Sequence, residues 1–217
     1  LVDANCGTSA LSNGVNYLVI YCGNIGSDNN GAHVELVLRF GTTTIARCTA
    51  EGTDQTTVRH CAAGACHGYY IVTGDGTSTL NFQFRCLNGY TAYAGAMGIV
   101  AIPLTALTQN SDYWYSVSNT ENVVTDPSTW TNLASQEWNL PETGIYLILM
   151  SAEGGCNGGS EANGPMVRFQ LNGVTLGSEY MEEWEDNNDN MNFAKATVVN
   201  CNSGDNIFTI QVRDYYG

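Results

Sequence analysis

The sequence predicts an all-β protein built from two tandem β-sandwich domains, residues 1–109 and residues 110–217, on three observations. Apolar and polar residues alternate with a period of two over several segments, which is typical of strands with one buried face. Pairs such as Asn-Gly and Asp-Gly separate these segments, as tight turns require. No helix-sized stretch keeps the 3.6-residue period of an amphipathic helix.

The predicted strands fall into two kinds. Residues 80–85 place three apolar side chains on one face and polar ones on the other, and residues 208–213 repeat this pattern. Residues 35–40 are rich in aliphatic side chains and alternate less strictly. Residues 97–104 and 146–150 are nearly continuous apolar runs. We expect these two strands to be buried on both faces, at a sheet centre or at a subunit contact.

Glycine pairs mark the predicted turns, because they supply the left-handed backbone that tight turns need. The pairs are Asn13-Gly14, Asn30-Gly31, Asp75-Gly76, Asn88-Gly89, Asn172-Gly173 and Ser203-Gly204. The polar stretch of residues 108–127 is interpreted as the linker that leads into the second half.

Three pairs of similar segments occur in the same order in the two halves: 17–20 with 146–149, 34–40 with 166–171, and 80–85 with 208–213. The first pair is 129 residues apart (Tyr17 to Tyr146) and the third is 128 residues apart (Leu80 to Phe208). Similar order at a nearly constant spacing predicts an internal duplication.

The two halves are unequally complete. The first half continues past its last matched strand into residues 98–104, which have no counterpart in the second half before Gly217. Conversely, residues 130–140 precede the first matched strand of the second half, where the first half has only the short segment 1–16. Because open sandwiches leave unpaired strand edges, we hypothesise that strands are exchanged between domains or subunits.

The charge of the chain excludes several classes of partner. The net charge is −14, Lys195 is the only lysine, and the arginines are scattered along the sequence. Binding to nucleic acid or to anionic membranes requires clustered cations, so we expect neither. No apolar run is long enough to span a bilayer, so membrane insertion is not expected either.

In an oxidising location, such as outside the cell or on a virion surface, the cysteines predict disulfides. The chain has eight, an even number that we interpret as disulfide candidates: Cys6, Cys22, Cys48, Cys61, Cys66, Cys86, Cys156 and Cys201. Their pairing is open, except that a loop closed by a Cys61–Cys66 disulfide is favoured over a zinc site built from these two residues with His60 and His67. The absence of any Asn-x-Ser/Thr triplet favours a bacterial, archaeal or phage source.

At residues 138–148 the chain resembles C1q/TNF-like jelly rolls, including those of phage virion surface proteins. Trp138, Leu140-Pro141, Gly144 and Tyr146 match the aromatic-x-Val/Leu-Pro-x-x-Gly-x-Tyr run that precedes a central strand in that family. Residues 166–173 resemble the next strand with its Asn-Gly hairpin, and residues 98–104 resemble the closing strand of similar virion jelly rolls. The resemblance implies two jelly-roll-like sandwiches and self-association as trimers, although the second half lacks the final strand.

One oxygen-rich segment is a candidate calcium site. Asp186, Asn188 and Asn190 alternate like the start of a calcium loop, but Met191 and Thr197 stand where an EF-hand requires Gly and Glu. The alternatives are a calcium site of another type and a solvated acidic surface loop. No other cofactor is expected.

We expect no enzyme, because nucleophile-elbow and phosphate-loop motifs are absent and no carboxylate pair is singled out. The first hypothesis is a structural protein of an assembled particle, a bacteriophage capsid decoration or fibre subunit that contacts itself and other particle proteins. The alternatives are an extracellular filament or adhesin subunit assembled by strand donation, and a secreted C1q-like module that binds glycan or protein. Candidate interface residues are Trp130, Trp138, Tyr146, Ile99, Val100 and Ile102.

Overall fold

The computed structural model describes residues 1–27, 32–51, 61–117, 129–155, 163–181 and 190–216. These residues form fourteen β-strands and contain no helix, which confirms the predicted all-β class. The strands are β1 (Val2–Gly7), β2 (Asn16–Ser27), β3 (His33–Phe40), β4 (Thr43–Glu51), β5 (Cys61–Thr73), β6 (Leu80–Cys86), β7 (Ala92–Pro103), β8 (Thr131–Leu140), β9 (Gly144–Gly155), β10 (Asn163–Leu171), β11 (Val174–Thr175), β12 (Tyr180–Met181), β13 (Asn190–Cys201) and β14 (Gly204–Tyr216).

The described strands form three antiparallel sheets. One has six strands in the order β1-β6-β3-β4-β13-β9, and one has three in the order β5-β2-β7. The third has the order β11-β10-β14-β8, with β12 pairing with β10 as well. The sheets pack in the manner of sandwiches, because period-two alternation gives each strand one apolar face to bury.

Each half has its own apolar core. In the first half, Val19 on β2, Leu36 on β3 and Phe82 on β6 are fully buried. In the second half, Phe169 on β10 and Phe208 on β14 lie at the centre of the core. The alternation predicted for residues 80–85 and 208–213 therefore places the expected side chains inside.

The predicted turns have the backbone that their glycines permit. Five of the six predicted pairs end in a glycine with positive φ: Gly14, Gly76, Gly89, Gly173 and Gly204. Asn172 and Gly173 both have positive φ (51° and 79°), and Leu171 pairs directly with Val174. This is a two-residue type I′ hairpin turn, whose twist matches that of the flanking strands. The sixth pair, Asn30-Gly31, lies outside the described residues.

The strand pairings of the two halves correspond at the positions that the sequence similarity matches. The strand β3 pairs with β6 so that Phe40 lies opposite Leu80, and β10 pairs with β14 so that Leu171 lies opposite Phe208. These are the same positions in the two halves when the matched segments are superposed by sequence. The neighbours correspond as well, since β1 and β8 flank β6 and β14, and β5 and β13 flank β2 and β9.

The two halves share one sheet. The strand β13 pairs with β9 along twelve positions and also reaches β4 of the first half, where Asn190 lies opposite Thr49. The six-stranded sheet therefore combines four strands of the first half with two of the second. This agrees with the expectation that strands of one half contribute to the other.

One of the two positions expected for the apolar runs is wrong. They do not lie at a sheet centre, because β7 and β9 are both at the ends of their sheets within the described residues, and a subunit contact stays a prediction. Their outward side chains are open to solvent, with Val100 54% and Leu147 63% exposed. A continuous apolar run shows only that both faces avoid polar groups. It does not show that a neighbouring strand of the same chain covers them.

Candidate interaction surfaces

The second half closes the open side of the first sandwich through side chains that reach two strand edges. On β9, the Oγ of Ser151 donates a hydrogen bond of 3.0 Å to the carbonyl of Tyr69 on β5. On β13, the Nδ2 of Asn192 donates one of 2.8 Å to the carbonyl of Arg47 on β4. Because β4 and β5 belong to different sheets, these two bonds satisfy a backbone carbonyl on each sheet of the first half.

Gly68 makes this close approach possible. A Cβ at this position would lie 2.6 Å from the hydroxyl oxygen of Tyr21 and 3.1 Å from the Cβ of Ser151. Glycine inside a strand often marks such an approach of another chain segment. The sequence alone contains this signal in the run His67-Gly68-Tyr69, although it does not identify the partner strand.

An ion-pair cluster lies on β3, β4 and β6 of the first half, beside the seam, as we call the contact of β9 and β13 with β4 and β5. The buried carboxylate of Glu35, whose side chain is 4% exposed, contacts the Nε of Arg47 at 3.2 Å and accepts a hydrogen bond from the Nε of Arg85 at 2.5 Å. On β9, desolvation raises the pKa of the Glu153 carboxyl, and the positive charge of Arg47 opposes this increase in pKa. The phenol of Tyr21 has its pKa raised, mainly by burial.

A clasp, formed by Tyr113 and Trp114, joins the halves from the segment after β7. The hydroxyl of Tyr113 accepts a 3.2 Å hydrogen bond from the Nδ2 of Asn16, at the start of β2. The neighbouring Trp114 packs edge-on against Tyr146 of the second core, with ring centroids 6.2 Å apart. Residues 108–117 of the predicted linker therefore contact both halves, and residues 118–127 lie outside the described residues.

The outer surface of the three-stranded sheet is a candidate interface, which we call the β2 face. Cross-strand pairing places Leu18 beside Ile102 and Ile20 beside Val100. On the other side of β2, Leu18 and Ile20 lie beside Ile71 and Tyr69. None of these six residues is charged. Ile20, Val100 and Ile102 are 36%, 54% and 41% exposed, so the β2 face leaves a contiguous apolar area in water.

A second apolar surface, the β9 face, lies on the β9–β13 ribbon. Leu147 and Val198 are cross-strand partners, 63% and 64% exposed. Ile145, at the start of β9, is 74% exposed. This surface belongs to the segment whose apolar composition was noted in the sequence, and here the side chains point outward at alternate positions.

The predicted interface residues divide into two groups. Val100 and Ile102 lie on the β2 face, whereas Ile99 packs against the first core. Trp138 and Tyr146 pack against the second core, where Trp138 contacts Phe208 with ring centroids 5.0 Å apart.

Trp130, the remaining predicted interface residue, lies under two arginines. The guanidinium carbons of Arg168 and Arg213 are 4.1 Å and 4.8 Å from its ring centroid, a cation–π arrangement.

Six of the disulfide candidates are described as thiols: Cys6, Cys22, Cys48, Cys66, Cys86 and Cys201. Cys48 and Cys66 are fully buried in the first core. Burial raises the pKa of the Cys66 thiol, and the proximity of Cys48 adds to this. The side chain of Cys61 and all of Cys156 lie outside the described residues, and the pairing of the cysteines remains a prediction.

The predicted local disulfide between Cys61 and Cys66 does not fit the backbone. Both residues belong to β5, paired with Ser27 and Gly23 of β2. Five residues of extended chain span about 16 Å, whereas disulfide-bonded Cα atoms are at most about 7 Å apart. The glycine and alanines between the cysteines suggested a loop, but in the structure they continue the strand.

The predicted calcium ligands are mostly outside the described residues. Asp186 and Asn188 lie there entirely, and Asn190 begins β13 with its side chain also outside them. Within the described part of the chain, no group of three or more His, Cys, Asp or Glu side chains could hold a metal ion. Calcium binding therefore stays a prediction.

No protein-family model matches the chain, and no curated protein sequence matches it. Among the described residues, no helix is long and apolar enough to cross a membrane.

Proposed function

We propose that this chain is a non-enzymatic structural protein of an assembled particle, a bacteriophage capsid decoration or fibre subunit on the virion surface. The observation that carries the proposal is the β2 face, six uncharged residues on a chain whose net charge is −14. Copies with this much negative charge repel one another. They can meet most readily where a surface is apolar and uncharged, which is what the β2 face offers.

Two further features support a structural role. The two halves share a sheet and are held together by the clasp. The β2 face and the β9 face therefore belong to two domains that are joined to each other. The resemblance of residues 138–148 to C1q/TNF-like jelly rolls favours a homotrimer as the unit of assembly. The apolar β2 face would then be buried between subunits, as in oligomer interfaces generally.

Light scattering on the purified chain tests this proposal. We expect a discrete trimer for the unaltered chain and a monomer for Val100→Asp, because a carboxylate at the centre of the β2 face would be buried without a partner. Val174→Asp is the matched control, since Val174 is a valine of similar exposure (67%) on the β10–β11 hairpin. A monomeric unaltered chain, or equal behaviour of the two variants, would contradict the proposal.

A second candidate function is an extracellular filament or adhesin subunit assembled by strand donation. The observation that favours it is the position of β9 at the end of the six-stranded sheet. Strand addition to an exposed edge gives affinity through main-chain hydrogen bonds and specificity through alternate side chains. Open-ended polymers in the same scattering experiment would favour this candidate over a discrete trimer.

A further inference from the structure

One edge of β9, unpaired within the described residues, corresponds to an edge that is occupied in the first half. In the first half, β2 lies between β5 and β7. In the second half, β9 is the counterpart of β2 and β13 is the counterpart of β5, because β9 pairs with β13 as β2 pairs with β5. Among the described residues, no strand pairs with β9 on the side where β7 pairs with β2.

The correspondence between β2 and β9 extends to individual side chains. Val19 and Tyr21 point into the first core, and the residues 129 positions later, Ile148 and Met150, point into the second. One of the two outward pairs differs in exposed fraction. Leu18, flanked by strands on both sides, is half-buried, whereas its counterpart Leu147 is 63% exposed. The other pair shows no such increase, since Ile20 is 36% exposed and its counterpart Leu149 is half-buried.

Within the described residues, the first nine positions of β9 lack the features that normally protect a free edge. Residues 144–152 contain no charged residue and no proline, and their pairing with β13 runs without a bulge. Proteins usually guard long edges with lysines, prolines, bulges or a covering segment. The first nine residues of β9, before Glu153, therefore form an edge suited to pairing.

We infer that the β9 edge accepts an antiparallel strand with the chemistry of β7. This inference rests on the proposed function and identifies the acceptor surface for a partner in the particle. The occupant is an uncharged extended segment, because β7 (Ala92–Pro103) contains no charged residue. The first half fixes the register, since Ile102 lies opposite Leu18 and Val100 opposite Ile20. In the second half, the equivalent positions of the occupant lie opposite Leu147 and Leu149.

A synthetic peptide with the sequence of residues 92–103, carrying a solubilising tail, is the direct probe. We expect saturable binding of one peptide per chain, with amide exchange in residues 144–152 slowed about tenfold or more. Exchange in residues 16–27 should not change, because β2 already has both neighbours. A peptide with Glu in place of the residues equivalent to Val100 and Ile102 should bind at least about tenfold more weakly, because it places charges against Leu149 and Leu147.

Two chain variants complete the test. Leu147→Glu should weaken peptide binding, whereas Val174→Glu, at a comparably exposed site on the β10–β11 hairpin, should not. Binding without protection of β9, or no binding to the folded chain, overturns the inference. So does a concentration-dependent dimer that protects β9 and excludes the peptide, because the occupant is then a second copy of β9.

The outcome is separable from that of the proposed function. A trimer disrupted by Val100→Asp but without peptide binding would reject only the β9 acceptor. Peptide binding to a chain that stays monomeric would reject only assembly through the β2 face.

Discussion

Arg213 occupies in the second half the position that Arg85 occupies in the first, yet the two guanidinium groups have different partners. Arg85 lies opposite Glu35 and donates to its carboxylate. Arg213 lies opposite Met166, and its Nη2 is 3.3 Å from the methionine sulfur. The two sheets thus carry an arginine at matched positions, with a different residue opposite it in each. The ion pair lies in the first half, where Arg47 on β4 joins it.

Replacing Glu35 should destabilise the chain more than replacing a surface carboxylate. Glu35→Gln removes the charge from a side chain that is 4% exposed and leaves two half-exposed arginines (47% each) without it. We expect a loss of about 1–3 kcal/mol in the free energy of unfolding. Urea denaturation measures it. Glu179→Gln is the control, because Glu179 is 37% exposed and 3.7 Å from Arg168, and its cost should stay below about 0.5 kcal/mol. Equal costs would mean that the cluster contributes little.

Gly68→Ala should loosen the seam. The added Cβ would lie 2.6 Å from the hydroxyl of Tyr21 and 3.1 Å from Ser151, so one of these side chains must move. We expect a cost of about 1–3 kcal/mol, as for other overpacking substitutions. Gly95→Ala in β7 provides the matched comparison, because no atom lies within 4 Å of its added Cβ. Thermal unfolding of both variants measures the difference in stability. Equal losses for Gly68→Ala and Gly95→Ala would contradict this description.

The turn at Asp75 should make stability depend on acid pH. Its carboxylate accepts hydrogen bonds from the amides of Thr77 and Ser78 and from the Ser78 hydroxyl, and these lower the pKa of Asp75, with the Ser78 hydroxyl as the largest cause. A carboxyl whose pKa is lowered on folding stabilises the folded state above its ordinary pKa of 3.8. That contribution is lost as the pH falls below this value.

The measurement is the difference in unfolding free energy between the unaltered chain and Asp75→Asn, followed from pH 6 down to about pH 2. We expect the difference to shrink as the pH falls through the acid range. A difference that stays constant over this range would show that the hydrogen bonds do not depend on the charge of Asp75.

Thiol labelling should distinguish the described cysteines by burial. Cys22 is exposed and should react with iodoacetamide in the folded chain, whereas Cys48 and Cys66, at 0% exposure, should react only after unfolding. The raised pKa of Cys66 slows it further, because the thiolate is the reactive form. Mass spectrometry of peptides counts the labels at each site. Residues that resist labelling even in denaturant, and react after reduction, would instead be disulfide-bonded.

Local patterns predicted most of the individual strands. The alternation at residues 80–85 and the run at 97–104 match the C-terminal ends of β6 and β7 within one residue, because side-chain periodicity is a property of neighbouring residues. The start of β7, at Ala92, lies five residues before the predicted run. The glycine turns were predictable for the same reason, since φ is a local requirement. The register of the duplication followed from similar sequence at a constant spacing.

Long-range relationships were not predictable in this way. Ser151 and Asn192 are ordinary polar residues in sequence, and only the folded chain brings them to the carbonyls of Tyr69 and Arg47. The local disulfide at Cys61 failed because a Gly- and Ala-rich run can be a strand when its neighbour accommodates it. Trp138 was a candidate interface residue, and nothing in its neighbours indicated that it packs on Phe208.

The clasp has a mechanical consequence. Tyr113 is bound to the first half and Trp114 packs on the second, and the Cα atoms of consecutive residues are only about 3.8 Å apart. The chain between the two attachment points therefore has no slack. A force that pulls the halves apart must break the Asn16 hydrogen bond or extract the Trp114 ring before any spare chain can extend. Strain imposed on one half is therefore transmitted directly to the other through the clasp.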